Sequence, residues 1–147
     1  MKRSAALASL SRDHHQALAV AQRLRRATGK TAAGAREAFL TYWSEHGSLH
    51  FRLEEEILLP GYAAHGDAHH PVVLAVLGDH VEIRRLADGL AGGGATPSID
   101  ALHELGGRLA AHVRLEEREL FPIIEAAVPA PELTALAERL ERAEDAV

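Results

Sequence analysis

The chain has 147 residues, a formal net charge of −5, 47% hydrophobic and 25% charged residues, and no cysteine. That length and balance fit one soluble domain, expected to span residues 1–147, with enough chain to bury a core of its own. The acidic balance excludes nonspecific nucleic-acid binding, which needs a basic surface. The lack of cysteine excludes disulfides, thiolate zinc sites, iron–sulfur clusters and cysteine nucleophiles. The longest apolar run, Pro71 to Leu77, is too short to cross a bilayer. The opening MKRSAALASLSRDHH has no long apolar stretch of the signal-peptide kind, so a cytoplasmic location without membrane contact is expected. Histidine is over-used: there are ten, against one Trp, two Tyr and three Phe.

Ala, Leu, Glu and Arg dominate and β-branched residues are sparse, which favours helix. Breakers at Thr28-Gly29, at Pro60-Gly61 through Pro71, at Gly92-Gly93-Gly94 through Pro97 and from Pro129 to Pro131 divide the chain. The first helix is predicted over about 4–27, with Leu7, Leu10, Ala17, Ala21 and Leu24 at helical spacing. The second follows over about 33–59. The third, about 71–91, carries Val73, Val76, Leu77, Ile83, Leu86 and Leu90 on its apolar face, and Pro71 suits its first turn. The fourth, about 98–127, has Ser98 as a plausible N-cap. Leu59-Pro60 and Phe121-Pro122 are expected to end or kink the second and fourth helices. A short amphipathic tail helix, about 131–145, is expected across one end or against a partner. Short links between long helices favour an all-α, up-down-up-down four-helix bundle over about 4–127, with the tail as a fifth helix.

The chain repeats itself. HFRLEEEILLP at 50–60 returns as HVRLEERELFP at 112–122, and Asp13-His14 returns as Asp79-His80 within matching apolar frames. The first two helices therefore resemble the last two, and an approximate twofold axis down the bundle is expected.

His50 and Glu54 are four residues apart, as are His112 and Glu116, so each pair projects from one helix face. With His14 and His80 they make a set of four imidazoles and two carboxylates, a mix that suits iron, manganese or zinc. Two carboxylates can bridge two cations and offset their repulsion. At 1.5 Å per residue, the alternating arrangement puts all six about 8–15 Å from one end of the bundle. One HxxxE is usually a solvated pair. Two copies on core-facing stripes are different, because six polar groups in one core layer are costly to desolvate without partners.

His14 is favoured over its neighbour His15 by the repeat and by its place in the Leu10–Ala17–Ala21 stripe. His15 and His46 are read as alternate or supporting residues, with a polar helix face the simpler role for His46. Glu55, Glu56, Glu117 and Glu119 are most simply solvated, although the repetition of Glu55 and Glu117 leaves a supporting role open for those two. His65, His69 and His70 fall in a turn where a second metal site is the less favoured reading. His103 is read as structural, and Tyr42 and Trp43 as packing residues.

DHH at 13–15, HFRLEEEILLP, DH at 79–80 and HVRLEERELFP together make the chain resemble the hemerythrin-like HHE cation-binding family over about residues 4–127. The resemblance implies a four-helix bundle around a non-haem centre of two iron ions with an oxo or hydroxo bridge. His14, His50, Glu54, His80, His112 and Glu116 are the implied ligands, the two glutamates bridging. It also implies a small ligand, O2, peroxide or nitric oxide, and leaves room for a redox partner or a homo-oligomer. The chain departs from the animal oxygen carriers of the family, whose third helix carries a second histidine; here Val76 and Arg84 lie one turn from His80. Three functions stand at this stage: a di-iron protein that senses or handles a small ligand, a di-iron peroxidase or oxidase, and a metal-poor helical interaction module.

Overall fold

A computed structural model describes residues 3–94 and 97–146. Among them there are five helices and no strand. A 3-10 turn, Ala5–Leu7, leads into α1, Ala8–Arg25. The second helix, α2, runs without interruption over 32–63, and α3 is Pro71–Ala91. The fourth, α4, runs over 99–127, and α5 is Ala130–Asp145. None of these helices is long and apolar enough to cross a membrane. Part of the glycine-rich link before α4, residues 95 and 96, lies outside the described residues.

The helix starts follow local chemistry. His70 caps α3 through its ring, which accepts from the Val72 N–H, and Pro71 takes the first turn, where no N–H is needed. The Ser98 hydroxyl accepts from the Ala101 N–H and caps α4. Neither Pro60 nor Pro122 ends its helix. Each follows a π-helical turn, Glu54–Leu58 and Glu116–Leu120, in which the Leu59 N–H reaches Glu54 O and the Phe121 N–H reaches Glu116 O. Proline normally breaks a helix because its ring strikes the carbonyl four residues back and it has no N–H to give. The widened turn takes up both defects, so α2 continues to Ala63 and α4 to Ala127. Turns of this kind cluster at functional sites, and here both begin at the buried glutamates of the repeat. A third, Trp43–Gly47, lies earlier in α2.

The apolar interior forms two clusters. One gathers Ala17, Ala21 and Leu24 of α1, Phe39 and Phe51 of α2, Ile83 and Ala87 of α3, and Leu105 and Leu109 of α4. The other gathers Leu7 and Leu10, Leu58 and Leu59, Val73 and Val76, and Leu120 and Ile124. Leu133, Leu136 and Leu140 of α5 pack into this second cluster. Between the two sit the only buried polar side chains among the described residues: His14, His50, Glu54, His80, His112 and Glu116. His14 follows Leu10 and precedes Ala17, while His80 follows Val76 and precedes Ile83, so the sequence stripes place each polar residue between the clusters.

The helices approach closely at Gly106, where an added Cβ would meet Ala21 O at 2.7 Å and Leu24 Cβ at 2.9 Å. Gly107 has open space. Alanine in a helix gains up to about 1 kcal/mol over glycine, whereas overpacking costs about 1–3 kcal/mol. The two adjacent substitutions should therefore differ in sign. In urea melts, Gly106→Ala is expected to lose roughly 1–2 kcal/mol, and Gly107→Ala to gain about 0.5–1 kcal/mol. Effects of the same sign would disprove the close crossing of α1 and α4.

Candidate metal centre

Four imidazoles surround two carboxylates. Glu54 Oε2 lies 3.2 Å from His50 Nε2, and Glu54 Oε1 lies 3.1 Å from His80 Nε2. Glu116 Oε1 is 2.8 Å from His14 Nε2, and Glu116 Oε2 is 3.1 Å from His112 Nε2. Each carboxylate thus turns one oxygen toward the His14/His50 pair and the other toward the His80/His112 pair. His14, His50, Glu54 and Glu116 form one group whose candidate ligand atoms all lie within 4.8 Å of one another; Glu54, His80, His112 and Glu116 form a second. The groups share both glutamates. Each could hold one metal ion.

The outer ring nitrogens have partners of their own. His14 Nδ1 lies 2.6 Å from Glu117, His50 Nδ1 3.2 Å from Asp13, His80 Nδ1 2.6 Å from Glu55, and His112 Nδ1 3.0 Å from Asp79. An ionised carboxylate only accepts, so Nδ1 carries the proton and donates it. In the neutral ring, Nε2 then offers its lone pair to the interior. This is the arrangement in which outer carboxylates fix the tautomer and raise the basicity of a metal-binding histidine.

The pairing follows the repeat. An aspartate of α1 holds a histidine of α2, and its counterpart on α3 holds a histidine of α4. Glutamates of α2 and α4 hold histidines of α3 and α1. Glu55 and Glu117, for which the repeat left a supporting role open beside the simpler solvated one, touch histidines of the site. Glu117 also accepts from the Ser11 hydroxyl at 2.8 Å and pairs with Arg3, and Glu55 pairs with Arg84 at 3.2 Å. Sequence reasoning missed the parts played by Asp13 and Asp79. Their signal was present, because each directly precedes a candidate histidine in both copies of the repeat.

Apart from His14 Nε2, which is hydrogen-bonded to Glu116 Oε1 at 2.8 Å, the inner face lacks partners. His50 Nε2, His80 Nε2, His112 Nε2, both oxygens of Glu54 and Glu116 Oε2 are buried without a hydrogen bond. Buried polar atoms normally find partners, and six orphans facing one another need something between them. A cation accepting from imidazole nitrogens and carboxylate oxygens meets that need.

Without a cation, protons take its place. Burial works against charging His80, but the nearby carboxylates of Glu116 and Glu54 outweigh it and raise its pKa to about 9. At His112 burial again opposes, and Glu116 and Asp79 prevail, raising it to about 10. His50 is raised well above its ordinary value because Glu54 and Asp13 overcome its burial. Burial favours the neutral form of Glu116, yet the histidines hold its pKa well below the usual carboxylate value.

His15 and His46 are exposed. His103 Nε2 donates to Ala27 O at 2.8 Å, a packing role. His65, His69 and His70 do not join any metal-binding group among the described residues. Tyr42 is buried in the first cluster, and burial, followed by the charges of Glu54, Asp13 and Glu116, pushes its phenol up.

A comparison with protein-family models matches the hemerythrin HHE cation binding domain over residues 5–124. The chain belongs to this family. The matched span includes the whole His/Glu cluster and ends before α5. Neither the comparison with curated proteins nor that with solved structures gives a match.

The raised histidine values set a pH dependence. A group whose folded pKa exceeds its unfolded value stabilises fully below the unfolded pKa, here 6.5, and loses that contribution as pH rises through the folded one. Glu116 acts oppositely, losing its contribution as pH falls below the ordinary carboxylate range. The metal-free protein should therefore melt highest between about pH 5 and 6.5 and progressively lower toward pH 10. Each kcal/mol lost moves the midpoint by about 2–4 °C in a chain of this size. Thermal melts in chelator would read this out, and a flat midpoint from pH 6.5 to 10 would mean neutral rings in the metal-free state.

Proposed function

We propose that this chain is a non-haem di-iron protein that senses or handles a small ligand, O2, peroxide or nitric oxide. His14, His50, Glu54, His80, His112 and Glu116 hold the metals, with Glu54 and Glu116 shared between them. The observation that carries this reading is the division of each glutamate's two oxygens between two histidine pairs, with the inner atoms other than His14 Nε2 and Glu116 Oε1 left unpartnered. That division is what a bridging carboxylate requires. Each half offers two imidazoles and carboxylate oxygen, the donor set of open non-haem iron sites. The orphaned atoms also argue against a metal-poor interaction module.

The order of the apolar clusters supports an up-down-up-down bundle. Along the chain, α1 and α3 pass from the second cluster to the first, and α2 and α4 pass back.

When bound, two irons would supply one-electron redox chemistry and positions open to an exogenous ligand. Four nitrogens and two bridging carboxylates leave roughly four of the positions of two six-coordinate ions unfilled. The chain's own residues do the rest. Asp13, Glu55, Asp79 and Glu117 hold the rings in register and keep the Nδ1 protons outward. The two apolar clusters limit water on either side of the layer, and low local dielectric strengthens each charge interaction within it.

Metal analysis with an optical spectrum of the aerobic protein tests the reading. Two irons per chain are expected, with visible bands that shift on adding azide. His50→Ala and His112→Ala should each lower metal content sharply while far-ultraviolet circular dichroism stays helical. His14→Ala should reduce it more than His15→Ala. Full occupancy in all of these variants would refute the ligand assignment, and a spectrum indifferent to azide, O2 and peroxide would indicate a closed structural site.

Asp79→Asn removes a supporting carboxylate without removing a ligand. It is expected to weaken metal affinity by about 10- to 100-fold in a chelator competition. Unchanged affinity would show that Asp79 does not tune His112.

A further inference from the structure

A cleft of about 400 Å3 opens beside His50, lined by Asp13, Glu45, His46, Leu49, Leu53 and Glu144 as well as His50 itself. Three carboxylates face it, and its lining includes neither Lys nor Arg. The acids come from three helices: Asp13 from α1, Glu45 from α2 and Glu144 from α5. Asp13 reaches the outer nitrogen of His50 at 3.2 Å, and Glu144 lies against Asp13, where burial and then the Asp13 charge raise its pKa. His50 is only 6% exposed, and its inner nitrogen, without a partner, faces the shared glutamates. The floor of the cleft is therefore the outer edge of the His/Glu centre.

The other half of the centre is built differently. By the repeat, the counterparts of Glu45, His46 and Leu49 are Gly107, Arg108 and Ala111, so a positive side chain occurs where the cleft has His46. Phe51 stacks on His80 with ring centroids 3.9 Å apart, and Arg84 lies over both Phe51 and Trp43. His80 and His112 are each 1% exposed, against 5% and 6% for His14 and His50. Phe121 stacks on His14 in a similar way, with ring centroids 5.6 Å apart and Arg3 over the Phe121 ring, so it is His50 that borders the acidic cleft. The helix that carries Glu144, α5, lies outside the span matched by the family.

We propose that the cleft between Asp13, Glu45 and Glu144 is the loading route by which a divalent cation reaches the buried centre. The proposal rests on the reading of that centre as a metal site. Carboxylates at the mouth of a low-dielectric cleft concentrate field lines and raise the local cation concentration, which speeds capture. The effect belongs to the rate of approach. Neither Glu45 nor Glu144 is among the residues that hold the ion at equilibrium, so final occupancy is independent of them. The same field disfavours anions at the mouth.

Cobalt(II), whose visible absorption reports binding, can be mixed rapidly with the metal-free full-length protein. The Glu45→Gln, Glu144→Gln double variant should load roughly three- to ten-fold more slowly at low ionic strength. The difference should shrink toward nothing near 1 M salt, where the screening length falls to about 3 Å. Final cobalt content and the melting temperature of the metal-free protein should match those of the unaltered chain. A Glu82→Gln, Glu104→Gln variant makes the same change in net charge elsewhere on the surface and should load normally. Equal slowing in that control would make the effect one of net charge and overturn the route. Wild-type loading rates in the cleft variant would overturn it as well. Reduced final cobalt content without slower approach would make Glu144 a support for Asp13, again contradicting the proposal. If the unaltered protein takes up no cobalt at equilibrium, the reading of the centre fails first, and that outcome is distinct from every rate result.

Discussion

Two carboxylates buried at 0% exposure, Glu54 and Glu116, stand between four imidazoles in the middle of an otherwise apolar interior. Moving a carboxylate from water into such surroundings costs several kcal/mol even after relaxation, so the layer exists only if positive charge accompanies it. That charge comes from protons on the histidines or from cations among them. The rest of the architecture is arranged around this requirement. Apolar clusters close the layer above and below, and the helices that carry the glutamates widen by a π turn at those residues.

The outer carboxylates turn the layer into a tie between helices. Asp13 of α1 holds a ring on α2, Asp79 of α3 holds a ring on α4, and Glu55 and Glu117 complete the circuit to α3 and α1. No helix contributes its buried histidine unsupported by a neighbour. The consequence is local rigidity: each imidazole has its outer proton fixed, which leaves only the inner nitrogen free to bind a proton or a cation. A cation bound there would compete with protons for the same atoms, so its affinity and the stability of the metal-free state would be linked through pH.

The approximate twofold pairing does not make the two halves equivalent. Phe51 and Arg84 cover His80, and Phe121 and Arg3 cover His14, whereas a cleft floored by His50 lies under the edge of α5. Sequence divergence between the copies accounts for this. Phe51 has Val113 as its counterpart, and His46 has Arg108. A near-symmetric cluster of imidazoles and carboxylates can therefore border an acidic cleft at one histidine and not at its counterpart, because the residues around the repeated ones differ.

Much of this was legible in the residues. The helical stripes, the repeat of HFRLEEEILLP and the recurrence of Asp-His marked the helices and the six side chains at one level, because helical periodicity alone sends i and i+4 to one face. The starts of α3 and α4 followed from Pro71 and Ser98. The passage of α2 and α4 through Pro60 and Pro122 was not legible, since it depends on a π turn whose cause is the packing around Glu54 and Glu116. The roles of Glu55 and Glu117 were legible only in part: their repetition left a supporting role open, and it took a neighbouring helix to bring a ring nitrogen within 2.6 Å of each. Glu144 was further still from view, because only the docking of α5 through Leu133, Leu136 and Leu140 carries its carboxylate to Asp13. The sequence by itself determined which groups could bind a cation, through residue type and spacing along single helices. Only the tertiary structure decided which nitrogen of each ring faces inward and which side of the centre is open, because both depend on partners supplied by other helices.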